Sequence, residues 1–330
     1  MVEKKGATKG RGKVVFVTGA HGALGGDLVR ALIKEGNTVR GLIQSAGHTV
    51  RLPPCTIPVV GNVEDAHVLD SACKGADVVY HLAAIVREEK RRIGELMRVN
   101  VYGTRNVIEA CRKNGVKQLI FTSTSDIYGP RRSELLKETS QPMPRDKYGY
   151  SKMLAEQDIA ASGVPYTTLR ISTIYGPSFR SSFFKLFRAI HEGKIVIIGS
   201  GQNHMALIHT DDVVRALLLA KDNRASINKT YNLSDGVPYT QEQLMDLASR
   251  LLGAPKPTRH VSELIVRVLA RQRRLESDEL RFMTSNRVLD VSKIRDELGF
   301  VPKVKMEAGM AEMVDMFIEE GERRERKVYA

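Results

Sequence analysis

Val14-Val15-Phe16-Val17-Thr18-Gly19-Ala20-His21-Gly22-Ala23-Leu24-Gly25-Gly26 is a β-branched and aromatic run that breaks into glycines and then turns helical. Its four leading apolar residues suit a buried parallel strand. Gly19 permits a sharp turn, Gly22 lets backbone amides approach a pyrophosphate, and Gly25 lets the new helix pack on the strand. That helix carries Leu28, Val29, Leu32 and Ile33 on one face and stops at Gly36. Its N-terminus offers unpaired N–H groups and a positive dipole end to phosphate. The spacing is Gly-x-x-Gly-x-x-Gly, not the commonest dinucleotide fingerprint, and alone it fits a tight turn as well as a cofactor loop.

Working outward, Thr38–Ile43, Ile57–Asn62, Ala76–Ala84 and Gln118–Ser123 read as further strands. Helical patterns at Ala66–Lys74 and about Gly94–Asn114 separate them, and a Pro/Gly-rich loop joins the second strand to the third. A helix from about Tyr148 to Ser162 leads to a sixth strand, Tyr166–Ile171. This alternation predicts an α/β fold with a parallel, doubly wound sheet. Beyond it the pattern is mixed: an amphipathic stretch from Ser182 to Glu192, a strand from Lys194 to Ile198, a helix from Asp211 to Lys221 and a strand at Thr230–Leu233. Gln241–Glu319 reads as mostly helical, with breaks at Pro255, Pro257 and Pro302.

At 330 residues the chain can bury a sizeable core, and 42% hydrophobic with 27% charged residues is ordinary for a soluble globular protein. The net charge of +13 is concentrated partly at the ends, in Lys4, Lys5, Lys9, Arg11 and Lys13 and in Arg323, Arg324, Arg326 and Lys327. Both ends read as solvated flanks. No tryptophan, no aromatic residues interleaved with the basic ones and no nucleic-acid module argue against a nucleic-acid partner. Cys55, Cys73 and Cys111 have no metal or redox spacing and read as reduced thiols. No apolar run reaches bilayer length, so no membrane span is expected, and the expected location is the cytoplasm.

Two further stretches carry chemistry. Tyr148-Gly149-Tyr150-Ser151-Lys152 puts a phenol and an ammonium one helical turn apart, where the lysine favours the phenolate. The same spacing also arises as a plain surface pair. Phe121-Thr122-Ser123-Thr124-Ser125-Asp126-Ile127-Tyr128-Gly129 ends a strand in hydroxyls at the sheet's carboxyl edge, where they can hold a substrate oxygen or simply end the strand.

In this order and at these distances, the three stretches resemble the extended short-chain dehydrogenase/reductase superfamily of NAD-dependent epimerases and dehydratases. The resemblance runs from about Lys13 to Phe317 and includes Val79-Tyr80-His81-Leu82-Ala83-Ala84, Asn100-Val101-Tyr102-Gly103-Thr104, Arg170 with Ile174-Tyr175-Gly176-Pro177, His209-Thr210-Asp211-Asp212 and Leu298-Gly299-Phe300-Val301-Pro302. It implies a Rossmann-like sheet with a smaller, mostly helical C-terminal substrate lobe. The expected division is a leader over 1–12, a dinucleotide domain over 13–175 plus about 206–235, a substrate lobe over about 176–205 plus 236–320, and a charged tail over 321–330.

The resemblance also implies roles. Tyr148 is the expected acid/base, Lys152 lowers its pKa and binds the nicotinamide ribose, and Thr124 bonds the reacting oxygen. Gly19, His21, Gly22, Ala23, Leu24 and Gly25 are expected at the cofactor phosphates, Asn62 and Val63 at adenine, and Leu82, Ala83, Ala84 and Asn100 on the nicotinamide side. His81 is expected as a wall residue. Where many NAD-using relatives place an Asp after the second strand, Ile43 stands here, flanked by Arg40 and Gln44, which leaves NAD and NADP both open. Met205 occupies the place of an arginine that grips a nucleotide sugar's diphosphate in relatives, with Arg180, Lys185, Arg188 and His204 as substitutes. Asp126 stands one methylene short of the glutamate of sugar-nucleotide decarboxylases and dehydratases. The expected activity is that of a nucleotide-sugar epimerase working as a homodimer on a small-molecule substrate. A ketone reductase of the steroid-dehydrogenase-like and dihydroflavonol-reductase-like branch is the alternative, ahead of a dehydratase or decarboxylase or a non-catalytic cofactor binder.

Overall fold

The computed structural model describes residues 12–86, 93–266, 268 and 283–328. Lys4, Lys5, Lys9 and Arg11 of the expected leader lie outside the described residues. Seven strands form one parallel sheet: β1 (Val14–Thr18), β2 (Thr38–Ile43), β3 (Ile57–Val60), β4 (Val78–His81), β5 (Gln118–Thr124), and, after β6 (Arg131–Leu136) of a separate ladder, β7 (Tyr166–Ile171) and finally Lys229–Leu233. The order across the sheet is β3-β2-β1-β4-β5-β7 and then Lys229–Leu233, so the chain reverses direction at β1. In such sheets ligands bind beyond the strands' carboxyl ends at the reversal.

The hydrophobic pattern explains the layers. Val15, Phe16 and Val17 of β1 are fully buried, as a strand covered on both faces requires. On one side α1 (Ala23–Lys34) packs with the helix Thr210–Asp222, and Leu28, Val29, Leu32, Val213 and Leu217 share their core. On the other side lie α2 (Ala66–Cys73), α3 (Gly103–Lys113) and α4 (Lys147–Ala161), with Leu69, Val107, Ile108, Ala155 and Ile159 inside. There Cys73 and Cys111, unrelated by spacing, come together as free thiols, and the hydrogen bond between them followed by burial pushes Cys111 well above its ordinary pKa.

A second core joins Tyr175, Phe183, Phe187, Met205, Leu244, Met310 and Met313 in the expected C-terminal lobe. This part departs from the sequence pattern. Short ladders, Thr173–Tyr175 with Leu207–His209 and β6 with Asn286–Leu289, interrupt a region read as helical or loop. Such three- to six-residue strands carry too little periodicity to register in a sequence. The helix Met306–Val328 runs into the charged stretch that begins at 321. Asp212 anchors that end of the chain, accepting from the amides of Lys303 and Val304 at 3.0 Å each and pairing with Arg215. Among the described residues no helix is long and apolar enough to cross a membrane.

Candidate active site

The glycine loop leaves β1 at Thr18 and enters α1 through Gly22. Its glycines answer different demands. A Cβ on Gly25 would sit 2.0 Å from the Gly19 carbonyl oxygen, and one on Gly19, whose φ is +73°, would meet the Ala83 amide at 2.9 Å. Both are required by the fold itself. A Cβ on Gly22 would meet only the Gly19 carbonyl oxygen, at 3.2 Å, and would otherwise fill open space over the helix N-terminus. No side chain caps α1 and no acid occupies its first turn, so its leading amides face outward. They open on a cleft of about 340 Å³ lined by Gly22, Ala23, Arg30, Arg51 and Arg180 among others. That cradle fits the diphosphate of a dinucleotide.

Behind the loop the protons can be placed. The Thr104 hydroxyl donates to the Asn100 carbonyl at 2.6 Å, so it accepts from Nε2 of His81 at 2.9 Å. Nδ1 of His81 then accepts from the Thr18 hydroxyl at 2.8 Å, whose oxygen accepts from the Ala83 amide at 3.1 Å. Burial, with Lys152 adding to it, pushes His81 down to about 3, so the ring is neutral. Asn100 sits on a π-helical turn, Met97–Tyr102, just before α3. Its amide brackets Ile85, accepting from N–H at 2.8 Å and donating to C=O at 3.0 Å, and also donates to Ser151 at 3.0 Å. Asn100 thus ties the segment after β4 to α4.

The reaction side is assembled from distant pieces. Asp146 caps α4 by accepting from the Gly149 amide at 2.7 Å. Gly149 is there because a Cβ would meet the Asp126 carbonyl oxygen at 2.9 Å, so the helix start rests directly on the turn after β5. This packing seats the first turn of α4, which carries the half-buried Tyr148, on the turn that holds Asp126. Lys152 is 2% exposed, its Nζ 4.0 Å from the Phe121 ring centre. Burial lowers it to about 7, against the pull of Glu156 one turn further on. Glu156 is itself held by Arg170 at 2.8 Å, which donates to the Tyr128 hydroxyl at 2.8 Å, which donates to Asn232 at 2.7 Å.

Thr124 and Asp126 are more tightly engaged than the sequence implies. The Thr124 hydroxyl donates to Asp126 at 3.1 Å and accepts from the Asp126 amide at 3.2 Å. Arg287, 8% exposed, donates to Asp126 at 2.7 Å and to the Ser125 carbonyl at 3.0 Å. Sequence reasoning missed Arg287 because its strand was read as helix and its partner lies 161 residues away. The remaining substrate candidates are scattered. Met205 is 1% exposed in an apolar core with Phe183 and Phe187, and His204 is half-buried, its amide donating to Asn286 at 2.8 Å. Arg180 is brought to the glycine-loop cleft. Asn62 is exposed and turns back on its own chain, accepting from the Glu64 amide at 2.7 Å. Val63 packs where a Cβ on Gly103 would come within 2.5 Å of it, and Leu82, Ala83 and Ala84 are half-buried along the strand end.

Residues 15–234 match the NAD dependent epimerase/dehydratase family, and the chain belongs to it. It is 26% identical to the N-acetyl-alpha-D-glucosaminyl-diphospho-ditrans,octacis-undecaprenol 4-epimerase of Escherichia coli O157:H7, over 90% of this chain and 92% of that protein. It is 28% identical to the 4-hydroxy-2-methyl-3-oxo-4-farnesyl-3,4-dihydroquinoline-1-oxide ketoreductase of Stigmatella aurantiaca, over 89% and 94%. The crystal structure of UDP-glucose 4-epimerase from Thermotoga maritima with UDP-glucose superposes with a TM-score of 0.77 at 26% identity, covering 93% of this chain and 99% of that one.

Proposed function

We propose that the chain is a nicotinamide-dependent enzyme acting on a secondary alcohol or ketone, and that its substrate is a nucleotide sugar undergoing epimerisation. The observation that carries this is the seating of α4: Gly149 lets its first turn rest on Asp126, so Tyr148 and Lys152 stand at the same sheet edge as the uncapped α1 N-terminus. When bound, the cofactor supplies the hydride acceptor and donor. Gly19, His21, Gly22, Ala23, Leu24 and Gly25 hold its phosphates, with Asn62 and Val63 by the adenine and Leu82, Ala83 and Ala84 beside the nicotinamide. Tyr148 takes the proton from the substrate hydroxyl and returns it, its phenolate favoured by the Lys152 ammonium. Thr124, whose own hydrogen points at Asp126, accepts from a second substrate hydroxyl and not from the one whose proton Tyr148 takes. Asp126 is paired with Arg287 as an anion, which suits it poorly as the proton donor that elimination requires. The expected homodimer and cytoplasmic location stay with this reading, and sedimentation velocity tests the former.

A net ketone reductase is the second reading, favoured by Met205, apolar and buried, standing where the family resemblance implies a diphosphate-gripping arginine. Incubation with UDP-glucose and catalytic cofactor separates the two. Epimer formed without net cofactor reduction supports the first; stoichiometric consumption of reduced cofactor with an uncharged ketone, and none with the nucleotide sugar, supports the second.

A further inference from the structure

Lys152 is buried, and a buried ammonium is costly without an opposite charge nearby. Its surroundings offer few. β5 contributes the Phe121 ring, 4.0 Å from Nζ, and β4 contributes His81, whose ring is neutral. Asp126, on the turn after β5, already pairs with Arg287 at 2.7 Å. Among the described residues that leaves Glu156, one helical turn along α4 and itself buried, as the anion that opposes the cost of burial.

Glu156 is held in place from three strands. Nε of Arg170, on β7, donates to both of its oxygens at 3.2 and 3.1 Å, and a terminal nitrogen adds a bond of 2.8 Å. Arg170 is fixed in turn, because its other terminal nitrogen donates to the Tyr128 hydroxyl and the Glu138 carbonyl, each at 2.8 Å. The Tyr128 hydroxyl, beyond β5, donates to Asn232 on the last strand at 2.7 Å, and the Asn232 side chain donates to the Leu136 carbonyl at 2.9 Å. Replacing a buried ion pair by apolar residues is often neutral or stabilising, so packing alone does not call for this one. What it does is set one carboxylate at a fixed place beside the Tyr148–Lys152 turn.

That turn can lose one proton in two ways. Either the phenol releases it, leaving phenolate and ammonium, or the ammonium does, leaving phenol and amine; both forms have the same net charge. Burial favours the uncharged form, and a fixed anion near the nitrogen favours the other. We propose that Glu156 is a positioning residue that makes this choice: clamped by Arg170, its carboxylate keeps the proton on Lys152, so that the proton released is the one on Tyr148. The assignment rests on the reading of Tyr148 and Lys152 as the acid/base pair.

Ultraviolet titration of the full chain tests it, since tyrosinate absorbs where tyrosine does not and subtraction of the Tyr148→Phe variant isolates one phenol. Burial lifts Tyr80, Tyr128, Tyr175, Tyr231 and Tyr239 above the ordinary phenol range, which keeps them out of the neutral window. In the unaltered chain Tyr148 should ionise at least about one pH unit below the ordinary phenol value of about 10. Glu156→Gln should raise its midpoint by about one unit or more. Glu156→Gln combined with Arg170→Gln, which removes the ion pair whole and so protects the fold, should give the same rise, and Glu156→Asp should recover part of it. A midpoint that stays put in both Gln variants overturns the assignment. So does a Glu156→Asp midpoint as high as that of Glu156→Gln, since disturbed packing and not charge would then be the cause. If Tyr148 of the unaltered chain ionises no earlier than an ordinary phenol, the acid/base reading itself fails and takes this assignment with it.

Discussion

The two sides of the site are made by opposite means. The proposed phosphate cradle comes from one contiguous stretch, Thr18 to Gly26, and works through backbone: amides, a helix end and glycines that keep side chains away. The reaction side is built of side chains drawn from β5, α4 and the Asn286–Leu289 strand, and its corner is held by an Arg287–Asp126 contact closing 161 residues. A site of the first kind is written locally and tolerates change elsewhere in the chain. One of the second kind depends on the whole fold arriving in register.

Substitutions at the glycines should break the comparison most visibly. Gly25→Ala puts a methyl group 2.0 Å from the Gly19 carbonyl oxygen and should cost more than about 4 kcal/mol, leaving little folded protein by circular dichroism. Gly22→Leu, with only a 3.2 Å approach to relieve, should melt within a degree or two of the unaltered chain yet lose measurable cofactor binding by calorimetry. Undiminished affinity would make this loop an ordinary turn.

On the reaction side, Tyr148→Phe should lower turnover by about two to four orders of magnitude while cofactor affinity stays within twofold, because the ring remains and the transferable proton does not. A rate within twofold of the unaltered chain would remove Tyr148 from its assigned role.

The corner itself is tested through stability. Arg287→Ala strands the Asp126 carboxylate, whose side chain is 15% exposed, and should cost about 3 kcal/mol by urea unfolding. Adding Asp126→Asn should restore much of that loss, since no buried charge is then left alone. An unchanged urea midpoint for the single variant would mean that the pair does not hold the corner.

The smallest effect is a slope. Lys152 is lowered by burial from its ordinary value to about 7 in the folded chain, so between about pH 7 and 10 the unfolded chain binds more protons. Stability without cofactor should therefore rise with pH across that window, by at most about 1.4 kcal/mol per unit, and the penalty should be complete below it. Lys152→Met should flatten the rise, as read from urea midpoints at pH 7 and 9.

What could be read in advance follows the same division. The sheet, the glycine loop and the Tyr148–Lys152 spacing were legible because each is periodic or local: β-branched runs, a turn, one helical turn. Arg287 was not, since a four-residue strand leaves no period and an ion pair across the chain leaves no spacing. Asn100 and Met205 were legible as positions, but their contacts were not. Whether an amide faces a ligand or an internal carbonyl, and whether a thioether lines a pocket or a core, depends on packing that neighbouring residues do not encode.

The late strand that delivers Arg287 also sets a schedule. On a ribosome adding about 5 to 20 residues per second, Asp126 emerges roughly ten to thirty seconds before its partner, which lies 161 residues downstream. During that interval β1 to β5 and the glycine loop are already free to form. A nascent chain can thus be competent to take up a dinucleotide while its reaction corner still awaits Arg287, and ligand present at that stage would favour the half-made domain by mass action.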